Sequence, residues 1–512
     1  MKKITKIALS LILVIAMMLT VACTVVGGDN TGTSSGSQSQ TGTNSGSQSQ
    51  TGSNSQTGSN GSQNPSTQES IVTIDFYVMN DLHGMIEDSD TQPGVDEFTT
   101  YMFERYADTA AHEVLLSSGD MWQGSVESSS NKGALMTEWM NYVGFEAMTL
   151  GNHEYDWGGD AIAENAKNAE FPFLGINILV DGEPAPYCQP SVILERGGVK
   201  IGVIGAMGDV LSSISGEFTN DLYFVKGAEL TLAVQKEAAR LRNDENCDIV
   251  VYSLHEGFED GYDTILSNKN SGRGYVDIVF EGHSHSRYKK IDEYGVYHIQ
   301  GGGYNQAISY ARFVVDRVND SVRIQNPGYL TNNVYSSSTL TDDPIVDTLM
   351  DKYFPDSDPY NDILGYNRTY RSENAIVSKV AQLYLEKGLE FWGDDYQIVL
   401  GGGYLNTRKP YDLDAGNLTY ADIFTILPFD NDLILGKIKG SDLTRNFIEK
   451  STYTNAINGN LCDNIVSTQY YYIVVDSYTA FYSWNNITVV DRIPGLYARD
   501  LLSNFVAENG WA

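Results

Sequence analysis

The stretch IVTIDFYVMNDLHG (71–84) decides the fold. A strand-length run of β-branched and aromatic residues stops at a polar cluster, Asn80-Asp81-Leu82-His83, and then a glycine. The same event recurs down the chain. EVLLSS (113–118) runs into Gly119-Asp120, and FEAMTL (145–150) into Gly151-Asn152-His153-Glu154. CDIVVYSL (247–254) runs into His255-Glu256-Gly257, and VDIVFE (276–281) into Gly282-His283-Ser284-His285. Helix-like stretches such as DEFTTYMFERYADTAAHE (96–113) and GAELTLAVQKEAARLRNDEN (227–246) lie between several of these runs. The alternation predicts an α/β domain whose functional loops follow the carboxyl ends of strands.

Every chemistry-bearing residue in these runs sits at such an end. Taken singly, Asp-x-His is commonly a surface loop, and Asp120 alone reads as a helix cap. Together they make a mixed oxygen and imidazole donor set that suits Mn, Zn, Fe or Co. Asp81-x-His83 and His283-x-His285 place alternate residues beyond a strand. Asp120, after a glycine that permits a tight turn, is placed to bridge two ions, and Asn152 adds a neutral oxygen. Two divalent ions acidify a bound water and orient a phosphoryl group, which makes phosphate ester hydrolysis the expected chemistry. His112, between helix and strand, and His298, in VYHIQ (296–300), read as structural.

The segments NDLHG (80–84), SGD (118–120), GNHEYD (151–156), LHEG (254–257) and GHSH (282–285) resemble the calcineurin-like metallophosphoesterases. Within them the chain is similar to the 5′-nucleotidase family, which adds a C-terminal nucleotide-binding domain. The resemblance implies a four-layer β-sandwich flanked by helices over 71–335, a connecting helix within 336–359, and a smaller α/β domain over 360–512. It implies that Asp81, His83, Asp120 and His285 hold one ion, and Asp120, Asn152, His255 and His283 the other. It also implies that His153 is the catalytic histidine, oriented by Asp156, and not a ligand.

In the second half, SENAIVSKVAQLYLEKGLEFW (372–392) predicts a helix, and DLILGKI (432–438) and YYYIVVDS (470–477) predict strands. GGGYLNTRKP (401–410) and GNLTYADIFTILPFDN (416–431) resemble the family's glycine-rich loop and its Pro-Phe-x-Asn segment. By that resemblance Phe429 is a base-stacking ring and Asn431 a hydrogen-bond partner of the base. Leu405 stands where the family has a phosphate-binding arginine, so Arg408, Arg368 and Arg371 are the candidates for that contact. The family's Gly-Gly-Asp segment is replaced by VDSYTAFYSWNN (475–486), where Tyr478 is the nearest match to the second ring, with Tyr482 and Trp484 as alternates.

The chain begins with Lys2 and Lys3, an apolar run from Ile7 to Ala22, and Cys23, the pattern of an export signal. Thr20-Val21-Ala22-Cys23 resembles the lipobox of bacterial lipoproteins, with Leu19 one place early, so residues 1–23 are expected to be a signal with Cys23 as the lipidated residue. Residues 24–70 are nearly all Gly, Ser, Thr, Asn and Gln, which predicts a flexible tether with an end-to-end distance of about 35–40 Å. The expected location is therefore the outer face of a bacterial membrane, with the lipid as anchor. Only Cys188, Cys247 and Cys462 follow Cys23, too few for a disulfide framework.

The 512 residues carry 66 acidic against 33 basic side chains, a net charge of −33. That balance excludes a nucleic-acid polymer as partner and disfavours long-range attraction of a phosphate ester, leaving local positive charge to the metals. The expected substrate is a nucleoside monophosphate. A 2′,3′-cyclic nucleotide, a UDP-sugar or another phosphoester is the alternative, and a non-catalytic surface binding protein is the third reading. Oligomeric state is not legible in the sequence.

Overall fold

The computed structural model describes residues 70–511 apart from 89–92, 215–217, 220, 259–273, 293, 336–339, 356, 406, 408–411, 449–453 and 459–464. The leader, Cys23, the tether before residue 70, Arg408 and Cys462 lie outside the described residues.

Strands β1 (Ile71–Met79), β2 (His112–Ser117), β3 (Ala147–Thr149) and β4 (Phe173–Leu174) run parallel side by side. A second sheet follows, from β5 (Ser191–Arg196), β6 (Val199–Met207), β7 (Ile249–His255), β8 (Ile278–Glu281), β9 (Arg287–Ile291) and β10 (Tyr297–Gly301). Here β6, β7, β8 and β10 are parallel, and the antiparallel β5 and β9 form the edges. The chain then returns as β11 (Ala307–Asp316) and β12 (Ser321–Thr331), which extend the first sheet antiparallel to β1. The resulting orders are β12-β11-β1-β2-β3-β4 and β9-β10-β8-β7-β6-β5.

Continuous apolar runs are what such strands require, because both faces are covered. In β1, Ile74, Phe76 and Val78 enter the core between the two sheets, while Tyr77 and Met79 enter a core beneath helices. That outer core is supplied by α1 (Asp96–Ala107), α2 (Ala134–Val143) and α3 (Gly158–Asn168) through Phe98, Met102, Trp139 and Ile162. The second sheet is covered by α4 (Gly227–Asn243), through Leu230, Val234, Ala238 and Leu241. Helix, sheet, sheet and helix are thus the four layers expected.

The connecting helix is α5 (Pro344–Tyr353), started by Asp343, whose side chain accepts from Ile345 N at 2.9 Å, and by proline at its first position. It buries Val346 and Leu349 in the first domain's outer core, so it is packed scaffold as well as connection. Beyond it lies a smaller α/β unit. Its main sheet comprises β13 (Ile398–Gly403), β14 (Leu433–Lys439), β15 (Thr454–Ile457), β16 (Tyr470–Asp476) and β17 (Thr488–Ile493), in the order β15-β13-β16-β14-β17. Helix α6 (Glu373–Trp392) packs on that sheet, with α7 (Tyr420–Ile426) and α8 (Ala498–Asn509) completing the core. Among the described residues no helix is long and apolar enough to cross a membrane. Cys188 and Cys247 are free thiols.

In the core between the sheets the Phe76 ring lies 6.3 Å from that of Phe280 in the facing sheet and 5.1 Å from that of Phe313 on neighbouring β11. Replacing Phe76 by alanine removes both contacts and leaves a cavity between two sheets that cannot both close on it. The expected loss is about 3–5 kcal/mol, read as a lower urea midpoint at unchanged slope.

Candidate active site

The parallel strands of both sheets end on one side of the sandwich, and the polar clusters that follow them meet there. At five of the candidate ligands the backbone is left-handed: Asp81 (φ 50°), His83 (56°), Asp120 (55°), His283 (67°) and His285 (51°). For side chains other than glycine this conformation costs about 1–3 kcal/mol each, and it persists only where the surroundings hold it. The backbone supplies part of that hold. Asp81 N donates to Gly119 O at 2.9 Å and His83 N to Asp120 O at 3.1 Å. His283 N donates to the Asp81 carboxylate at 2.9 and 3.0 Å, tying the two sheets together.

Two donor clusters result. Asp81, His83 and His285 place their ligand atoms within 4.8 Å of one another, and so do Asp120, His255 and His283. Asn152 belongs with the second cluster: its Oδ1 is 2.9 Å from His283 Nδ1 and 3.1 Å from His255 Nε2. The imidazoles are fixed from behind. His83 Nδ1 donates to Gln123 O at 2.8 Å and His255 Nδ1 to Ser118 O at 2.7 Å, which turns each Nε2 toward the cluster. His83 Nε2 then faces His285 Nε2 at 3.0 Å. Two ring nitrogens aimed at each other with carboxylates alongside are a donor set that fits a cation. Gly119 is needed for this approach, since at its φ of +91° a Cβ would stand 2.6 Å from His255 Nδ1.

Charge follows the same pattern. Burial opposes ionisation of Asp120, but His255 and His153 beside it hold its carboxyl well below the usual range. Burial alone would depress His255, yet Asp120 and Asp81 push it up to about 10. Burial, reinforced by the charge on His255, brings His283 down to about 4. Within this cluster His255 is thus the ring that favours a proton and His283 the ring that resists one, and a cation bound at His255 would compete with that proton.

His153 stands beside the clusters, with its backbone N donating to Asp120 Oδ1 at 2.8 Å and its ring Nδ1 2.9 Å from Asp156 Oδ2. Behind it lies Glu154, a residue quoted in the sequence motif without a role. Its carboxylate is fully buried and accepts from the backbone N of Gly151 (2.7 Å), Met121 (2.8 Å), Asp120 (3.0 Å) and Trp122 (3.3 Å). Burial and the nearby Asp120 push this carboxyl up to about 7, against the pull of those donors. Its position three residues after Gly151, at the start of a helical turn, was the available signal.

The substrate-binding candidates of the second domain are dispersed. Phe429 faces the first domain, its ring 6.3 Å from that of His153. Asn431 Oδ1 accepts from Ser477 Oγ at 3.4 Å. Tyr478 lies 5.9 Å from the Tyr404 ring, while the alternate Trp484 is buried in the domain core and the Tyr482 side chain lies outside the described residues. Arg368 is exposed. Arg371 is engaged within its own domain, reaching Asn367 Oδ1 at 3.2 Å and lying 5.2 Å over the Trp511 ring. The sequence did not single out Arg499, which is buried, pairs with Asp430 and donates to Pro428 O at 3.1 Å, so it anchors the loop carrying Phe429. His298 is fully buried beside Glu281, at 2.9 Å.

The chain is also similar to known proteins. Residues 74–287 match the calcineurin-like phosphoesterase family, and residues 397–473 the 5′-nucleotidase C-terminal domain. An apyrase of Tabanus yao is 27% identical over 75% of this chain and 74% of its own length. The protein UshA of Yersinia enterocolitica is 24% identical over 65% of this chain and 67% of its own length. In fold, the chain is similar to the structure of a 5′-nucleotidase precursor from Thermus thermophilus. That pair has a TM-score of 0.67 and 17% identity, covering 86% of this chain and 97% of the other.

With Asp120 and Asp81 pushing His255 up to about 10, Mn²⁺ binding at that ring near neutral pH should release a proton. Between the His283 and His255 values, apparent affinity should fall about tenfold per unit drop in pH if one proton is displaced. Titration calorimetry in buffers of different ionisation enthalpy checks this, and metal uptake without proton release would contradict it.

Proposed function

This chain belongs to the 5′-nucleotidase family of metallophosphoesterases, and from that membership we propose that it hydrolyses nucleoside monophosphates to nucleoside and phosphate. It is a metal-dependent phosphoric ester hydrolase. The observation that carries the finer reading is the meeting of two donor clusters, a histidine–aspartate pair and an aromatic ring from the second domain.

Two divalent ions, of Mn, Zn, Fe or Co, would be held by Asp81, His83, Asp120 and His285 and by Asp120, Asn152, His255 and His283. When bound they acidify water and offset phosphate charge. Two carboxylates and neutral imidazoles leave such a centre net positive within a strongly acidic protein, which gives a phosphate dianion a local destination. Asn152 Nδ2 is buried without a hydrogen-bond partner among the described residues, and it is the donor we assign to a phosphoryl oxygen. His153, held by Asp156, protonates the departing 5′-oxygen. Phe429, whose ring lies 6.3 Å from that of His153, stacks on the base. Export and tethering through Cys23 complete the proposal and would put this activity outside the cell.

A second reading is favoured by two observations. Arg371 is occupied within its own domain, and a cavity of about 350 Å³ opens beside His283, lined by Ser284, Ser286, Tyr288 and Lys290 and also by Asp209 and Glu256. Room on that side suits a diester or a larger phosphoester.

Phosphate release from AMP with Mn²⁺ should be abolished by chelator. Failure to release phosphate with any divalent metal would sink the proposal, and preference for 2′,3′-cyclic nucleotides in a substrate panel would select the second reading. His153→Ala should lower kcat by about 10²–10⁴ with KM little changed. Phe429→Ala should raise KM for AMP by roughly 5- to 100-fold, the worth of one base–aromatic stack, while leaving hydrolysis of p-nitrophenyl phosphate untouched.

A further inference from the structure

His283 and His285 serve different clusters from adjacent alternate positions, both with left-handed backbone. Something must hold that short loop, and the residues between and around the two histidines reveal what does. Gly282, Ser284 and Ser286 all bond to one side chain, Gln300. Its Nε2 donates to Gly282 O at 2.7 Å, and its Oε1 accepts from Ser284 Oγ and from Ser286 N, each at 2.9 Å. The other Nε2 hydrogen meets Tyr288 Oη at 3.1 Å. An amide has two donors and two acceptor sites, and here all four are used.

Gln300 is itself fully buried on β10, between β8 and β9, with Tyr288 opposite it across the antiparallel ladder. The Tyr288 hydroxyl donates to Glu281 Oε2 at 2.7 Å, and Glu281 Oε1 meets His298 Nδ1 at 2.9 Å. The amide is therefore fixed on a central strand and oriented by a buried network. The Gly282 carbonyl, the Ser284 hydroxyl and the Ser286 N–H are stapled to it, which fixes the backbone from which His283 and His285 reach the clusters.

We propose that Gln300 is the positioning residue of both donor clusters, setting the separation of His283 from His285 and so the spacing of two bound ions. This rests on reading those histidines as metal ligands. Gln300 touches neither ion nor substrate in this role; it acts through the loop.

The test is direct Mn²⁺ binding, by calorimetry and electron paramagnetic resonance, on the full chain and on Gln300→Met, Gln300→Glu and Ser284→Ala. Wild type should bind two ions with a spin-coupled spectrum. Gln300→Met should bind about 10- to 100-fold more weakly and lose the coupled signal, because the ions are no longer held at one spacing. Gln300→Glu, which keeps the acceptors and loses the donors, should fall between. A residue that only stabilises the fold would lower the melting temperature in chelator and leave affinity and coupling unchanged in the folded fraction, and that result overturns the inference. Should Gln300→Met fail to fold, exposed Ser284→Ala removes one staple and should weaken binding by roughly 2- to 12-fold, the worth of one hydrogen bond. Unchanged affinity there overturns the inference equally. If wild type itself binds no metal, the ligand reading fails, a different outcome from failure of the staple.

Discussion

Everything at the working end of this protein depends on a strand being made to stop and turn its backbone into the left-handed region. An extended strand presents side chains up and down, into the two cores; it cannot aim a carboxylate or an imidazole along its own axis. The left-handed residue after the strand does so, at a cost that a polyvaline strand end would never incur. The protein meets that cost with bonds between loops. Glu154 gathers four backbone N–H groups from two loops, and the Asp81 carboxylate receives the backbone of His283 from the other sheet. The sandwich brings the loops together, and these bonds decide the angles.

The two domains divide the labour differently. The first commits its buried polar groups to geometry that tolerates no slack: Gly119 and Gly151 sit where any Cβ would strike His255 or Asp120. The second carries Phe429 on a loop anchored by one buried arginine, Arg499, stacked 4.5 Å over Phe424 and paired to Asp430. The donor clusters thus sit on a rigid double sheet, and the ring that faces them sits on an anchored loop.

The runs that become β1, β2, β3, β7 and β8 were readable because strands covered on both faces must be continuously apolar, and because the polar break after each is abrupt. The four layers and the convergence of seven candidate ligands follow from that one regularity. What escaped were buried polar side chains whose partners are the backbone and hydroxyl groups of the ligand-bearing loops. Glu154 and Gln300 act on loops that only the fold brings near, and a lone glutamine inside VYHIQ carries no pattern. Arginine positions were not legible either: Arg371 contacts Asn367 and Trp511 in its own domain, while Arg499, inside a helix, reaches the Phe429 loop.

The donor clusters draw on chain segments from Asp81 to His285, and each includes a residue from both sheets. Neither can assemble until most of the first domain has been made and both sheets have paired, so no ion can nucleate this fold early. Loop closure over that length precedes any reward from coordination. A divalent ion held there would be captured last in folding and would act as a clasp against unfolding along the sheet–sheet seam.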